Sequence, residues 1–323
     1  AAGFVSLELG SDMGGSLRAP AHYCGVFAHR PSLNLIPLRG ASPPGMPFLP
    51  DRTNDFTVVG PMARTASDLA LALDVLAGPD ELLDGKGYKL ALPQTRHNSL
   101  KDFRVLVIDN HPWCPLAHSV KSALNSLADR LAKLGATVSR DTRNVPGLEK
   151  ITKNYALLFT SFAAQGMPDE KYQEVQNLAK KLHAKDDSLK ANFLRGFVLT
   201  QRNWLSVAHI RKQLREQWRK LFKDFDVVLC PAMPTPAFPH DHSVFIERNI
   251  QIDDVQVPYL NQHVWASISS LFGLPSTVAP IGYTAAGLPI GIQIIGDYLE
   301  DYTTITFAKL LEREFGGFTA PRL

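Results

Sequence analysis

A hydroxyl, two consecutive glycines, a carboxylate and a guanidinium fall within one short stretch, Gly10-Ser11-Asp12-Met13-Gly14-Gly15-Ser16-Leu17-Arg18-Ala19-Pro20. Glycines at 14 and 15 let the backbone turn its N–H groups outward with no Cβ in front of them. Amides aimed that way stabilise an oxyanion developing beside a nucleophilic hydroxyl. The spacing therefore nominates Ser16 as a nucleophile, and the chemistry it suits is attack on a carbonyl through a covalent acyl intermediate. Gly-Gly-Ser also occurs as a plain turn; the flanking Asp12, Arg18 and Pro20 are what weigh against that reading.

The elements that must hold this stretch are readable around it. The apolar run Phe4-Val5-Ser6-Leu7-Glu8-Leu9 predicts a buried strand leading into it. Residues 21–30 are small and apolar and predict a helix leading away from Ser16 and ending at Pro31, with Cys24 as a small buried hydrophobe. Four prolines between 41 and 55 (Pro43, Pro44, Pro47 and Pro50) exclude sheet and helix there, and Met46 and Phe48 are candidate pocket walls. Residues 58–70 read as strand, turn and helix. Thr65 is the N-cap with Asp68 three residues on, and Leu69, Leu73, Val75 and Leu76 form the apolar face. Phe103 to Ile108, a helix from about His118 to Leu134 and Ala136-Thr137-Val138 make a βαβ unit, which argues for parallel strands with helices on their faces. From Ile151 to Phe222 the pattern is mostly helical. Its best helix, about Ser206 to Phe222, carries the stripe Val207, Ile210, Leu214, Trp218 and Leu221, with Arg211, Lys212, Arg215, Arg219 and Lys220 on a solvated face. Strands at 225–230, 274–280 and 287–296 and a terminal helix from Asp301 to Glu314 complete an α/β fold in one domain over residues 1–323.

Composition narrows the function. The 323 residues are 45% apolar with a formal net charge of +3, enough for a core and too little charge to argue for nucleic acid. No apolar run approaches the ~20 residues that cross a bilayer. Cys24, Cys114 and Cys230 follow no metal-ligand spacing, and a sparse, odd count suits a reducing, cytoplasmic setting. His240-Asp241-His242 lacks a third ligand at a supporting spacing and reads as a polar surface loop rather than a metal site. The glycines near the C-terminus have no dinucleotide fingerprint. Neither metal nor cofactor is expected.

The stretch 10–20 resembles the signature of the amidase signature family of serine hydrolases, Gly-Ser/Thr-Asp-x-Gly-Gly-Ser-x-Arg-x-Pro, at every fixed position. Further segments are similar to the same family: Cys24-Gly25-Val26 with the turn His29-Arg30-Pro31-Ser32, the run from Gly60 to Ala66, residues 226–236, and Gly287-Leu288-Pro289-Ile290-Gly291-Ile292-Gln293-Ile294-Ile295-Gly296. The resemblance implies a mixed β-sheet sandwiched between helical layers, with Ser16 as the acylated residue. It implies an oxyanion hole of the N–H groups of Met13, Gly14, Gly15 and Ser16, with Asp12 and Arg18 as a supporting ion pair and Gly60 and Met62 near the serine. The substrate would be a small-molecule carboxylic amide, with no nucleic-acid or membrane partner and room for a homodimer. An alternative is a glutaminase-type subunit of a tRNA-dependent amidotransferase assembly. The family activates its serine with a second Ser, on a cis peptide bond, and a Lys, both upstream. Residues 1–9 offer neither, so the chain is expected to be an N-terminally incomplete member whose amide hydrolysis alone is undetectably slow.

Overall fold

The computed structural model describes residues 1–41, 55–82 and 84–321; Met46 and Phe48 lie outside these. Strand β1 (Leu7–Asp12) is followed by α1 (Arg18–Cys24), β2 (Phe27–Arg30), β3 (Val58–Ala63) and α2 (Ala66–Leu76). Then come β4 (Arg104–Val107), α3 (His118–Lys133), β5 (Thr137–Ser139), α4 (Leu148–Ala163), α5 (Asp169–Lys180), α6 (Leu189–Phe197) and α7 (Gln201–Asp224). The chain closes with β6 (Val227–Pro231), the hairpin β7 (Asn249–Ile252) and β8 (Val255–Pro258), α8 (His263–Phe272), β9 (Ser276–Tyr283), β10 (Pro289–Ile295) and α9 (Asp301–Phe315).

Eight of the strands form one sheet in the order β1-β3-β2-β9-β10-β6-β4-β5. Pairings from β1 to β6 are antiparallel, whereas β4 runs parallel to both β6 and β5. The β4-α3-β5 unit is the βαβ crossover expected from residues 103–138. Side-chain alternation divides the strands between two cores. Val105, Val107, Val227, Leu229, Ile292 and Ile294 pack with α2, α3 and α9 on one face, whereas Leu106, Val228, Cys230 and Ile290 pack with α4, α7 and α8 on the other. The sheet therefore lies between helical layers, as expected.

Several local expectations are corrected. The first strand starts three residues late and runs into the motif to Asp12. It is the edge strand and not a buried one, so Phe4, Val5, Leu7 and Leu9 are exposed. The helix after Pro20 stops at Cys24 because Gly25 takes a left-handed conformation (φ 66°), and the apolar residues beyond it form β2 instead. Cys24 is exposed, unlike the buried Cys114 and Cys230, since it lies two positions round the short helix from buried His22. Thr65 does cap α2, accepting the Asp68 N–H at 3.1 Å, and Leu69 and Leu73 are buried, but Val75 faces solvent. Helix α7 starts at Gln201, five residues before the expected Ser206, because the Thr200 side chain caps it there by accepting the Asn203 N–H. Arg211 and Arg215 are part-buried rather than solvated.

Candidate active site

Strand β1 delivers the motif and a buried carboxylate locks it. Asp12, at 0% exposure, accepts the Gly15 N–H on Oδ1 at 3.0 Å and the Leu17 N–H on Oδ2 at 3.1 Å. Its two oxygens also take a bidentate pair from Arg18, Nε to Oδ2 and Nη2 to Oδ1, each at 2.9 Å. Burial alone would push the Asp12 carboxyl up, but the Arg18 charge and hydrogen bonds, with Arg30 behind them, hold it far below the usual carboxylate range. The remaining Arg18 donors reach the Ala266 carbonyl (3.1 Å), Ser269 Oγ (2.7 Å), Ser270 Oγ (2.8 Å) and Gln293 Oε1 (2.7 Å). Asp12 and Arg18 thus form the expected ion pair, and it fixes the backbone of the loop as well as the sheet.

Glycines 14 and 15 are required for different reasons. Gly15 sits at φ 114°, a conformation L side chains rarely adopt, although a Cβ there would meet nothing closer than Ala266 Cβ at 3.4 Å. Gly14 lacks room instead: a Cβ would fall 2.8 Å from the Tyr155 hydroxyl and 3.1 Å from the Phe159 ring. Beside them the Ser16 side chain is exposed.

Of the four N–H groups expected around an oxyanion, one already has a partner in the structure. The Gly15 N–H is engaged by Asp12, because the tight turn folds it back onto the carboxylate. Among the described residues, the N–H groups of Met13, Gly14 and Ser16 and the Ser16 hydroxyl have no protein partner. Gly60 pairs in register with Gly10, and a Cβ there would collide with the His29 carbonyl at 2.2 Å, so it lets β1 and β2 close on β3. Met62 lies opposite Glu8, farther back along the strand.

An aromatic wall adjoins Gly14. Tyr155 and Phe159 from α4, Phe193 from α6 and His263 at the start of α8 pack with ring centroids 5.0 to 6.4 Å apart. Burial pushes His263 down to about 4 and drives the Tyr155 phenol up, so both rings are neutral near pH 7.

Sequence reasoning does not single out Arg30 or Gln293. Arg30 donates to the Asp12 carbonyl at 2.8 Å and lies 3.5 Å from its carboxylate, placing a second guanidinium on the same acid. The signal for Gln293 is a lone amide in the apolar run of β10. It is 0% exposed, and its Nε2 donates to the Pro231 carbonyl at 2.9 Å while its Oε1 receives Arg18. His240 and His242 stack on each other, and among the described residues no group of three or more His, Cys, Asp or Glu side chains is arranged to hold a metal.

A family profile described as Amidase matches residues 1–305. Among curated proteins, the chain is 26% identical to a glutamyl-tRNA(Gln) amidotransferase subunit from Exiguobacterium sp. AT1b, over all of this chain and 67% of that protein. It is 27% identical to Fatty-acid amide hydrolase 2-A from Danio rerio, over 99% of this chain and 59% of that one. Among solved structures, a glutamyl-tRNA(Gln) amidotransferase subunit from Thermotoga maritima shares the fold with a TM-score of 0.72 at 21% identity, over 99% of this chain and 66% of that chain. The chain thus spans 59 to 67% of the length of these relatives.

Proposed function

The chain belongs to the amidase signature family, and from that premise we propose that it carries the acylating half of an amide-hydrolysing site, with Ser16 as nucleophile. The observation that carries this reading is the exposed Ser16 hydroxyl, unpartnered among the described residues, next to three N–H groups likewise unengaged among them, on a loop clamped by a buried ion pair. In the proposed reaction the Ser16 oxygen bonds to the amide carbonyl carbon. The Met13, Gly14 and Ser16 amides take the charge on the carbonyl oxygen, the C–N bond breaks to release amine or ammonia, and water then frees the acid. Because the Ser16 hydroxyl meets no base among the described residues, turnover depends on a group outside them.

Fluorophosphonate labelling read by intact mass tests this. In an N-terminally longer form carrying a Lys and a second Ser upstream, one adduct is expected, and it should vanish in Ser16→Ala. A Ser16-independent adduct, or none, sinks the assignment. The 323-residue chain is expected to stay within about 10³ to 10⁴ of the uncatalysed rate, as hydrolases stripped of their base do; turnover well above that, abolished in Ser16→Ala, would overturn the dependence on a missing base.

The wall beside Gly14 supports a reading of the substrate class. Tyr155, Phe159, Phe193 and neutral His263 favour an apolar or aryl acyl group. In the active longer form, Phe159→Ala is expected to lower kcat/KM for apolar amides roughly 10- to 100-fold and that for short polar amides far less. Equal losses for both would refute the pocket. A second reading, a glutaminase subunit serving an amidotransferase assembly, is favoured by the relatives that carry the amidotransferase name. It predicts activity toward glutamine alone and co-purification with a partner.

A further inference from the structure

The guanidinium of Arg30 sits where the ion pair does not need it. Arg18 already meets both Asp12 oxygens at 2.9 Å, whereas Arg30 stands 3.5 Å from Oδ1. Both arginines are fully buried. Burial pulls Arg30 down to about 10, against the attraction of Asp12 and with the like charge of Arg18 beside it. Among the described residues its Nε has no hydrogen-bond partner. A second buried cation on a carboxylate that is already paired loses solvation and adds repulsion, so neutralising Asp12 does not explain it.

Its short bonds go to backbone instead. Nη1 donates to the Asp12 carbonyl at 2.8 Å and Nη2 to the Phe56 carbonyl at 3.1 Å. The Asp12 carbonyl and the Met13 N–H are two ends of one peptide unit, planar and trans, so they point in opposite directions. Holding the oxygen against Arg30 therefore aims the N–H away from the guanidinium, and turning it means breaking a charge-assisted bond. A cation on the oxygen also draws charge out of the amide and makes its hydrogen a stronger donor. The mount is rigid at both ends. Arg30 is the last residue of β2, in register with Ser276 of β9, and the Phe56 ring packs edge-on against Tyr155 and Phe159 at 5.9 and 6.0 Å.

We infer, on the reading of Ser16 as nucleophile, that Arg30 is a positioning residue for the oxyanion: through the Asp12–Met13 peptide it orients and polarises the Met13 N–H. It acts through that peptide and is not itself a reacting group. The bond from Met13 strengthens as the substrate oxygen gains charge, so kcat should respond and KM should not.

Asp12-Met13 is the only Asp–Met pair in the sequence, so the 323-residue chain labelled with carbonyl-¹³C aspartate and ¹⁵N methionine gives one cross-peak for this peptide. In Arg30→Met that peak is expected to move upfield in the carbonyl dimension, as for an oxygen that has lost a donor, and to return part of the way in Arg30→Lys. An unmoved peak in Arg30→Met overturns the inference. In the N-terminally longer form, Arg30→Met is expected to lower kcat about 10- to 100-fold with KM within about threefold, less than the roughly 10²- to 10³-fold that follows outright loss of an oxyanion donor. Arg30→Lys should recover about half of the logarithmic loss. An unchanged kcat, a loss confined to KM, or equal losses in the two variants sinks the role of Arg30. A parent with no Ser16-dependent fluorophosphonate adduct overturns the reading on which that role rests, whereas a parent that labels beside a fully active Arg30→Met variant removes only the role. Should Arg30→Met fail to fold, Arg30→Gln, which keeps an amide donor without the charge, decides alone: a kcat equal to the parent's is equally fatal.

Discussion

An Arg18→Leu protein is expected to unfold with a loss of about 3 to 5 kcal/mol, the range for removing one partner of a buried ion pair. The guanidinium serves Asp12 bidentately and four further acceptors, so the substitution strands a carboxylate at 0% exposure together with the Gln293 and Ser269 side chains. Arg30 cannot take over. Its strong bond, at 2.8 Å, is to the Asp12 backbone carbonyl, and it stands 3.5 Å from the carboxylate. Replacing both members with leucine should recover part of the loss, since the orphaned charge is gone, but not all, because Gly15 and Leu17 lose their acceptor. The check is the chemical-denaturation midpoint at unchanged m-value. A loss below about 1 kcal/mol for Arg18→Leu would show that the pair is not what secures the loop.

Acidification from pH 6.5 to 4 is expected to cost on the order of 3 kcal/mol for each of two histidines, His111 and His263, both pushed down to about 4 from 6.5 by burial. The unfolded chain binds more protons in this window, so stability falls with pH; the loss is absent above about 6.5 and complete below about 4. For His111 geometry enforces the neutral ring: Nδ1 accepts the Trp113 N–H at 3.1 Å, so Nε2 carries the hydrogen and donates to Thr152 Oγ1 at 3.1 Å. A second proton would set N–H against N–H. His22 adds to the same direction, held between Gly291 and Thr235 and lowered by burial. Asp12 does not contribute here, because its depressed carboxyl begins to cost stability only below the ordinary value of 3.8. Thermal midpoints across pH 7 to 4.5 check this, with His111→Gln expected to flatten the slope by about half. A flat wild-type profile would sink the prediction.

The chemistry of the motif can be read locally because its parts are local: Asp12, the glycines, Ser16 and Arg18 occupy seven consecutive positions, 12 to 18. The βαβ unit is legible for the same reason, since periodicity of 2 and 3.6 reports which side of an element is buried. What escapes is set by distant chain. Arg18's acceptors Ser269, Ser270 and Gln293 are 251, 252 and 275 residues away, and nothing near residue 18 names them. Arg30 is hidden by reading residues 21–30 as helix, where Gly25 is the signal of its end. Val75 and Cys24 show the limit of apolar character as evidence of burial, as single exposed hydrophobes are common. The engaged Gly15 amide cannot be foreseen, because sequence does not say which way a glycine turn aims each N–H.

The clamp on the loop also orders events in time. Asp12 and Arg18 are made early, but the groups that seat Arg18 belong to α8 and β10, and His29 of β2 meets Asp301 of α9 at 3.0 Å only after a further 272 residues. At roughly 5 to 20 residues per second of synthesis, on the order of ten to fifty seconds separate the reactive serine from its mounting. A nascent chain therefore carries Ser16 on an unanchored loop until α8, β10 and α9 have been synthesised.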